Sequence, residues 1–323
     1  MKAAVYKKYG PPEVMNVVDL PKPVPGDKEI LLKVHASTVN RTDCGFRSAE
    51  YFISRFFSGL FNPKLNVLGC EFAGEVEAIG KMVNRFKPGD KLFGFNDARF
   101  GGHAEYMLLK DTDAMALIPE GMNYAEAAAL TEGGHYALCD IYAMQVKPGQ
   151  KLLVNGATGA IGSAAVQLLK YFGAHVTAVC STAHVEKVRA LGADVVIDHR
   201  KEDFTKLPVQ FDAVFDAVGK SAFGKCKPIL KNKGLYVSTE LGKNAENVWR
   251  PIAGKLFGGK RILFPIPFTK QADIDLLKEL AEAGKFKPLI DRSYSLDDIV
   301  NAYKYVETGQ KVGNVILAIQ PPL

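Results

Sequence analysis

Long apolar runs are missing from this 323-residue chain. No stretch approaches the ~18–20 residues that a membrane-spanning helix needs. The opening segment, Met1-Lys2-Ala3-Ala4-Val5-Tyr6-Lys7-Lys8, lacks the apolar core of an export signal before its next charges, so the cytoplasm is the expected compartment. Cysteine is sparse: Cys44, Cys70, Cys139, Cys180 and Cys226 include no Cys-x-x-Cys pair. That argues against a zinc clip or a redox motif and fits free thiols in a reducing compartment. Blocks of one charge sign are missing too. Lysine and arginine total 41 against 35 acidic residues, a net charge of +6, but the basic residues are scattered, with Lys7-Lys8 among their densest clusters. Nucleic acid is therefore not an expected partner. Neither an internal repeat nor a low-complexity segment interrupts the chain.

What is present reads as two domains. The first third is β-rich: Ala3–Tyr6, Glu29–Val34 and Gly74–Ile79 are short strand-like runs separated by Gly10-Pro11-Pro12, Pro25-Gly26-Asp27 and Pro88-Gly89-Asp90. The middle third alternates. Leu152-Leu153-Val154 reads as a buried strand, Ala160 to Phe172 as a helix, Val176–Cys180 as a strand, and His184 to Leu191 as a helix closed by Gly192. Val195-Val196-Ile197, Ala213–Val218 and Gly234–Ser238 read as further strands. Strands alternating with helices predict an α/β fold with a doubly wound parallel sheet. A helix is expected from Gln271 to about Ala283. The strand-like tail Val312–Ile319 is able to return to the first domain.

The sharpest motif is Asn155-Gly156-Ala157-Thr158-Gly159-Ala160-Ile161-Gly162, which follows a strand and opens a helix. Small residues there let the backbone approach a pyrophosphate, and the helix N-terminus supplies N–H groups and a positive dipole end. Gly162 allows close helix–strand packing. The bland alternative is a tight structural turn. A dinucleotide binder that prefers NAD carries Asp or Glu about 20 residues on, at the end of the second strand. That strand ends here in Cys180-Ser181-Thr182. Ser181 and Thr182 can donate to a 2′-phosphate, with His184, Lys187, His199 or Arg200 to balance its charge, so NADPH is the expected cofactor. The two hydroxyls can also cap the next helix.

Together these residues resemble the medium-chain dehydrogenase/reductase superfamily, in particular its zinc-free quinone oxidoreductase branch. The likeness spans essentially the whole chain. Its landmarks are Asn40-Arg41-Thr42-Asp43, Gly69 to Val76, Phe86 to Gly94, Val154 to Gly162, Leu191-Gly192-Ala193-Asp194 and Phe211 to Gly219. The resemblance implies a GroES-like β-rich domain over 1–122 and 290–323, with a Rossmann NADPH-binding domain over 123–289. It also implies phosphates at Gly156–Gly162, the nicotinamide toward Asn40, and Thr131 and Val218 near the nicotinamide end. Zinc-dependent members resemble Cys-x-Thr-Asp and Gly-His-Glu at two ligand positions. Here Asn40 and Cys70 stand there, and Leu130 falls at the third, so no metal is expected.

Asn40 is the first catalytic candidate, able to hold substrate or cofactor through its amide; satisfying turn backbone is the alternative. Tyr51 is the second, because related enoyl thioester reductases carry a catalytic tyrosine at that spacing. Packing is its alternative. Glu132 and His135 depart from the family pattern and read either as a polar pair in the chemistry or as a structural bond. The segment Tyr51–Phe61 holds five aromatic residues and suits a hydrophobic small-molecule substrate, peripheral contact with a membrane surface, or the core of the small domain. A homodimer through Arg261–Phe264 follows from the resemblance. The expected function is NADPH-dependent, metal-free reduction of quinones or α,β-unsaturated carbonyls. An enoyl thioester reductase and a non-catalytic NADPH-binding structural or regulatory protein are the alternatives.

Overall fold

The computed structural model describes residues 1–50, 54–257 and 259–320. Its contacts divide the chain into two compact units, one of Met1–Glu132, Thr269–Ala283 and Leu289–Leu323, the other of Gly133–Phe268 and Gly284–Pro288. Relative to the boundaries expected from the sequence, residues 123–132, 269–283 and 289 go with the first unit. The helix Gln271–Glu282 does so because Gln271 accepts from Met115 N at 3.2 Å and donates to Met115 O at 2.9 Å.

The first unit contains β1 (Lys2–Tyr6), β2 (Met15–Asp19), β3 (Glu29–Val39), β4 (Glu71–Ile79), β5 (Lys91–Phe95), β6 (Tyr106–Lys110) and β7 (Met115–Leu117). The second contains β8 (Lys151–Asn155), β9 (His175–Cys180), β10 (Val195–Asp198), β11 (Phe211–Asp216), β12 (Leu230–Ser238) and β13 (Arg261–Leu263); β14 (Ile290–Ser295) and β15 (Asn314–Ala318) return to the first.

β1 and β2 form an antiparallel ribbon. The larger sheet runs β14-β15-β3-β4-β5-β7, with β6 also on β3. β3 outgrows its expected run by five residues because its far half is sandwiched between β15 and β4: Val39 pairs with Val315, and Ser37 with both Leu317 and Phe72. That extension carries the chain to Thr38 and Asn40. The expected return of the tail to the first domain is observed.

In the second unit the sheet order is β10-β9-β8-β11-β12-β13, all parallel. Leu152, Leu153, Val154, Val176, Val214, Phe215 and Val237 are buried at its centre, each contributing about 1.5–3 kcal/mol relative to exposure. The order reverses between β8 and β11, and in such sheets ligands bind beyond the carboxyl ends of the strands at that reversal. No helix among the described residues is long and apolar enough to cross a membrane.

Candidate functional site

Two constellations are built from the residues singled out above, one in each unit. In the second, the chain leaves β8 at Asn155 and turns at Gly156, whose φ is +81°. A Cβ there would lie 1.5 Å from Val218 Cγ1, and one on Gly162 would lie 2.1 Å from the Gly156 carbonyl oxygen. Only glycine fits either place. Gly159 is the N-cap of the helix Ala160–Tyr171 and offers no side-chain cap, so the first-turn N–H groups have no local acceptor from it. Gly133 is explained by the same helix: a Cβ on it would meet the Ala160 carbonyl at 2.6 Å.

Asp216 ends β11 beside Asn155, which donates to it at 2.9 Å. The Asp216 carboxylate also accepts from Ser221 N at 2.9 Å and Tyr236 Oη at 3.0 Å. It thereby fixes the turn that presses Val218 against Gly156. The uncapped helix mouth, the glycine-lined turn and the sheet reversal fit the pyrophosphate of a dinucleotide.

At the end of β9, Ser181 and His184 are half-buried, while Thr182 and His199 are exposed. Thr182 donates to Asp198 at 2.7 Å. Asp198 ends β10, and the parallel register sets it beside Cys180. A carboxylate therefore does stand beside Ser181 and Thr182, where the sequence leads one to expect none, supplied by the third strand of the unit rather than the second. Reading along the chain missed it because only strand register brings positions 180 and 198 together. A cavity of about 130 Å³ beyond β12 and β13, lined in part by Tyr136, Asp140, Ser238 and Phe264, was likewise not anticipated. Burial holds the Asp140 carboxyl well above the usual range.

In the first unit, Asn40 caps the helix Arg41–Ser48. Its Oδ1 accepts from Asp43 N at 2.9 Å, while its own N–H donates to Asp43 Oδ2 at 3.2 Å. This reciprocal cap is why the Asn-x-x-Asp segment forms a helix start here. It leaves the Asn40 amide N–H₂ free to donate to Cys70 Sγ at 3.1 Å. Cys70 is fully buried, and burial pushes its thiol well above its usual range.

Asp43 also accepts from Gly69 N at 3.0 Å, yet burial lifts its carboxyl to about 7. His103, 3.8 Å from Asp43, bonds Thr38 O at 2.7 Å and is lowered to about 4 by burial. Glu71 accepts from Thr38 Oγ1, from Thr131 Oγ1 at 2.9 Å and from Glu132 N at 2.6 Å. The Thr131 hydroxyl is thus committed to Glu71. Thr42 donates to Glu132 at 3.2 Å. Thr38, Asn40, Thr42, Asp43, Cys70, Glu71, Thr131 and Glu132 therefore form one polar cluster. His135 is buried in the helix Thr131–Met144.

Tyr51 lies outside the described residues. Of its aromatic segment, Leu60 and Phe61 are exposed; Tyr9 anchors the base of the segment by bonding Ser58 at 2.7 Å and Gly59 O at 2.5 Å. Among the described residues no group of three or more His, Cys, Asp or Glu is arranged to hold a metal ion.

Comparison with known proteins agrees with this organisation. Residues 26–132 match the alcohol dehydrogenase GroES-like domain, and residues 191–317 match the zinc-binding dehydrogenase family. The chain is 32% identical to a 2-methylene-furan-3-one reductase of Solanum lycopersicum, over 98% of this chain and 79% of that one. It is 30% identical to a chloroplast envelope quinone oxidoreductase homolog of Arabidopsis thaliana, over 98% of both. The solved quinone oxidoreductase of Coxiella burnetii superposes with a TM-score of 0.87 at 28% identity, covering 99% of each chain. The chain belongs to the medium-chain dehydrogenase/reductase superfamily of oxidoreductases, among its quinone oxidoreductase-like members.

Proposed function

We propose that this protein is an NADPH-dependent reductase of quinones or α,β-unsaturated carbonyls that works without a metal. The observation that carries the reading is the Asn40–Cys70 bond. Two positions that resemble zinc-ligand positions hold a neutral amide and a thiol kept protonated by burial, joined to each other. A buried thiol of that kind is a poor metal ligand, because the thiolate is the form that binds.

The glycine turn at Gly156–Gly162 binds the pyrophosphate, including the backbone of Ala157, Thr158, Ala160 and Ile161. Ser181, Thr182, His184 and His199 receive the adenosine end, Val218 and Thr131 belong to the nicotinamide end, and Asn40 serves both cofactor and substrate. The bound cofactor supplies a hydride. This chain's own residues orient the electrophile and stabilise the oxygen that gains charge. The exposed Leu60 and Phe61 suit a hydrophobic substrate.

We assign the homodimer contact to β13, the edge of its sheet, beside which Ile266 and Phe268 are exposed. We assign the protein to the cytoplasm. Steady-state assays of NADPH oxidation with quinones, alkenals and crotonyl thioesters test the activity. Turnover of the first two supports it. Preference for the thioester points to an enoyl thioester reductase, and NADPH binding without turnover of any electrophile points to a structural or regulatory role.

A further inference from the structure

Three carboxyl groups are buried together in the first unit, Asp43, Glu71 and Glu132. Lys311, on the loop before β15, is a cation whose charge acts on Glu71 and Glu132. Buried charges without matching partners are costly, so such a cluster holds protons. The hydrogen bonds decide where. Glu71 receives two hydroxyls and a backbone N–H, and Asp43 receives the N–H groups of Asn40 and Gly69. Both sets favour the anion. Among the described residues the Glu132 carboxyl receives the Thr42 hydroxyl alone, at 3.2 Å. Resting on the reductase reading above, we propose that Glu132 stores the proton that completes the reduction and delivers it through the Thr42 hydroxyl, two residues beyond Asn40.

The groups around Glu132 are consistent with that role. Burial first, then Glu71 on β4, and also Asp43 on the helix Arg41–Ser48 push its carboxyl up to about 8, while Lys311 and Thr42 pull the other way. Lys311 is half-buried and donates to the Gly313 carbonyl of its own loop at 2.7 Å. Burial lowers the ammonium despite Glu132 and Glu71. The neighbouring Cys70 thiol is held neutral and does not compete.

With an enone, hydride arrival forms a C–H bond at the β-carbon, and the C=C electron pair moves to give an enolate. The Thr42 O–H then protonates the enolate while its oxygen takes the proton of the Glu132 carboxyl, leaving Glu132 as carboxylate. Glu132 then regains its proton from water. The sum consumes one NADPH, one solvent proton and one enone, and yields NADP⁺ and the saturated carbonyl. Glu132 acts through Thr42 and is a positioning and relay residue rather than a catalytic one in contact with substrate.

The test uses the full chain with trans-2-hexenal as probe. If wild type binds NADPH but reduces neither the enal nor a quinone, the reductase reading itself has failed. Given wild-type turnover, Glu132→Gln is expected to lower kcat by at least ~10-fold, with KM for NADPH within about twofold because the variant keeps shape and bonding capacity. Wild-type kcat is expected to fall as pH rises through about 8; that limb should vanish in Glu132→Gln and reappear in Glu132→Asp. A second readout needs no turnover. In the wild-type minus Glu132→Gln difference spectrum, where the bands of Asp43 and Asp140 cancel, the infrared band of a protonated carboxyl should be present at low pH and vanish as pH rises through about 8. An unchanged alkaline limb in folded Glu132→Gln, or an infrared band unaffected by the substitution, overturns the proposal.

Discussion

Thr182 gives its hydroxyl hydrogen to Asp198 across 2.7 Å, joining the ends of two parallel strands where an adenosine ribose is expected. The bond from Thr182 holds the Asp198 carboxyl below its usual range, so it is an anion at neutral pH. An anion there opposes a 2′-phosphate, and it occupies a hydroxyl that would otherwise donate to one. Replacing Asp198 with Asn is therefore expected to raise the affinity for NADPH relative to NADH by roughly 3- to 10-fold at low salt, the size of one screened charge. Fluorescence titration with both nucleotides at low and high ionic strength measures the ratio. The gain should shrink as salt increases, and a change in favour of NADH would contradict the placement.

Gly156→Ala places a methyl group on Val218 and forces a side chain onto a positive φ. A loss of about 1–3 kcal/mol in stability is expected, together with at least ~10-fold weaker NADPH binding if 1.4 kcal/mol or more of the strain falls on the phosphate turn. Gly159→Ala, with its nearest contact at 3.6 Å, should cost little stability while still impeding a ligand at the helix mouth. The contrast between melting temperature and nucleotide titration separates the two effects.

Asn40 caps a helix and also donates to Cys70. Asn40→Ser retains a capping oxygen but cannot reproduce the amide donor, whereas Asn40→Ala loses both. Chemical denaturation should show Asn40→Ala about 1 kcal/mol less stable than Asn40→Ser. Turnover should fall in both if the amide serves the reaction. Equal turnover of Asn40→Ser and wild type would reduce Asn40 to its capping role.

Raised carboxyls make stability depend on pH with a definite sign. Asp43 at about 7 and Glu132 at about 8 bind protons in the folded state that the unfolded chain has already released. Stability therefore falls as pH rises between the unfolded and folded values, on the order of 1 kcal/mol per pH unit for each group. His103, lowered to about 4, acts in the opposite direction below its unfolded value. The decline should accordingly be clearest between about pH 6.5 and 8. Denaturation midpoints across that range should slope downward in wild type and less steeply in Glu132→Gln.

Much of the fold was legible because its signals are local. The alternation from Leu152 to Val196 announces a parallel sheet, and the glycine spacing after β8 marks the one turn where side chains are excluded. The resemblance carried the β-rich unit, including the return of the tail. What escaped depends on contacts between distant positions. Asp198 meets Thr182 only through strand register, and Glu132 meets Thr42 and Glu71 only once β3 and β4 are paired. The bond from the Thr131 hydroxyl to Glu71 likewise joins positions 60 residues apart. Arg47 carries no local signal of its role. It is fully buried in an ion pair with Glu307, bonds the Gly10 carbonyl and lies over the Tyr303 ring, partners up to 260 residues away.

The central claim, reduction driven by NADPH without a metal, is tested most directly by one assay of purified protein whose zinc content has been measured. NADPH oxidation is followed with a quinone and with an alkenal, before and after exhaustive treatment with a chelator. The expected result is turnover that is undiminished by the chelator in protein holding far less than one zinc per chain. Loss of turnover on chelation with recovery on added zinc, or no affinity for NADPH at all, would contradict it.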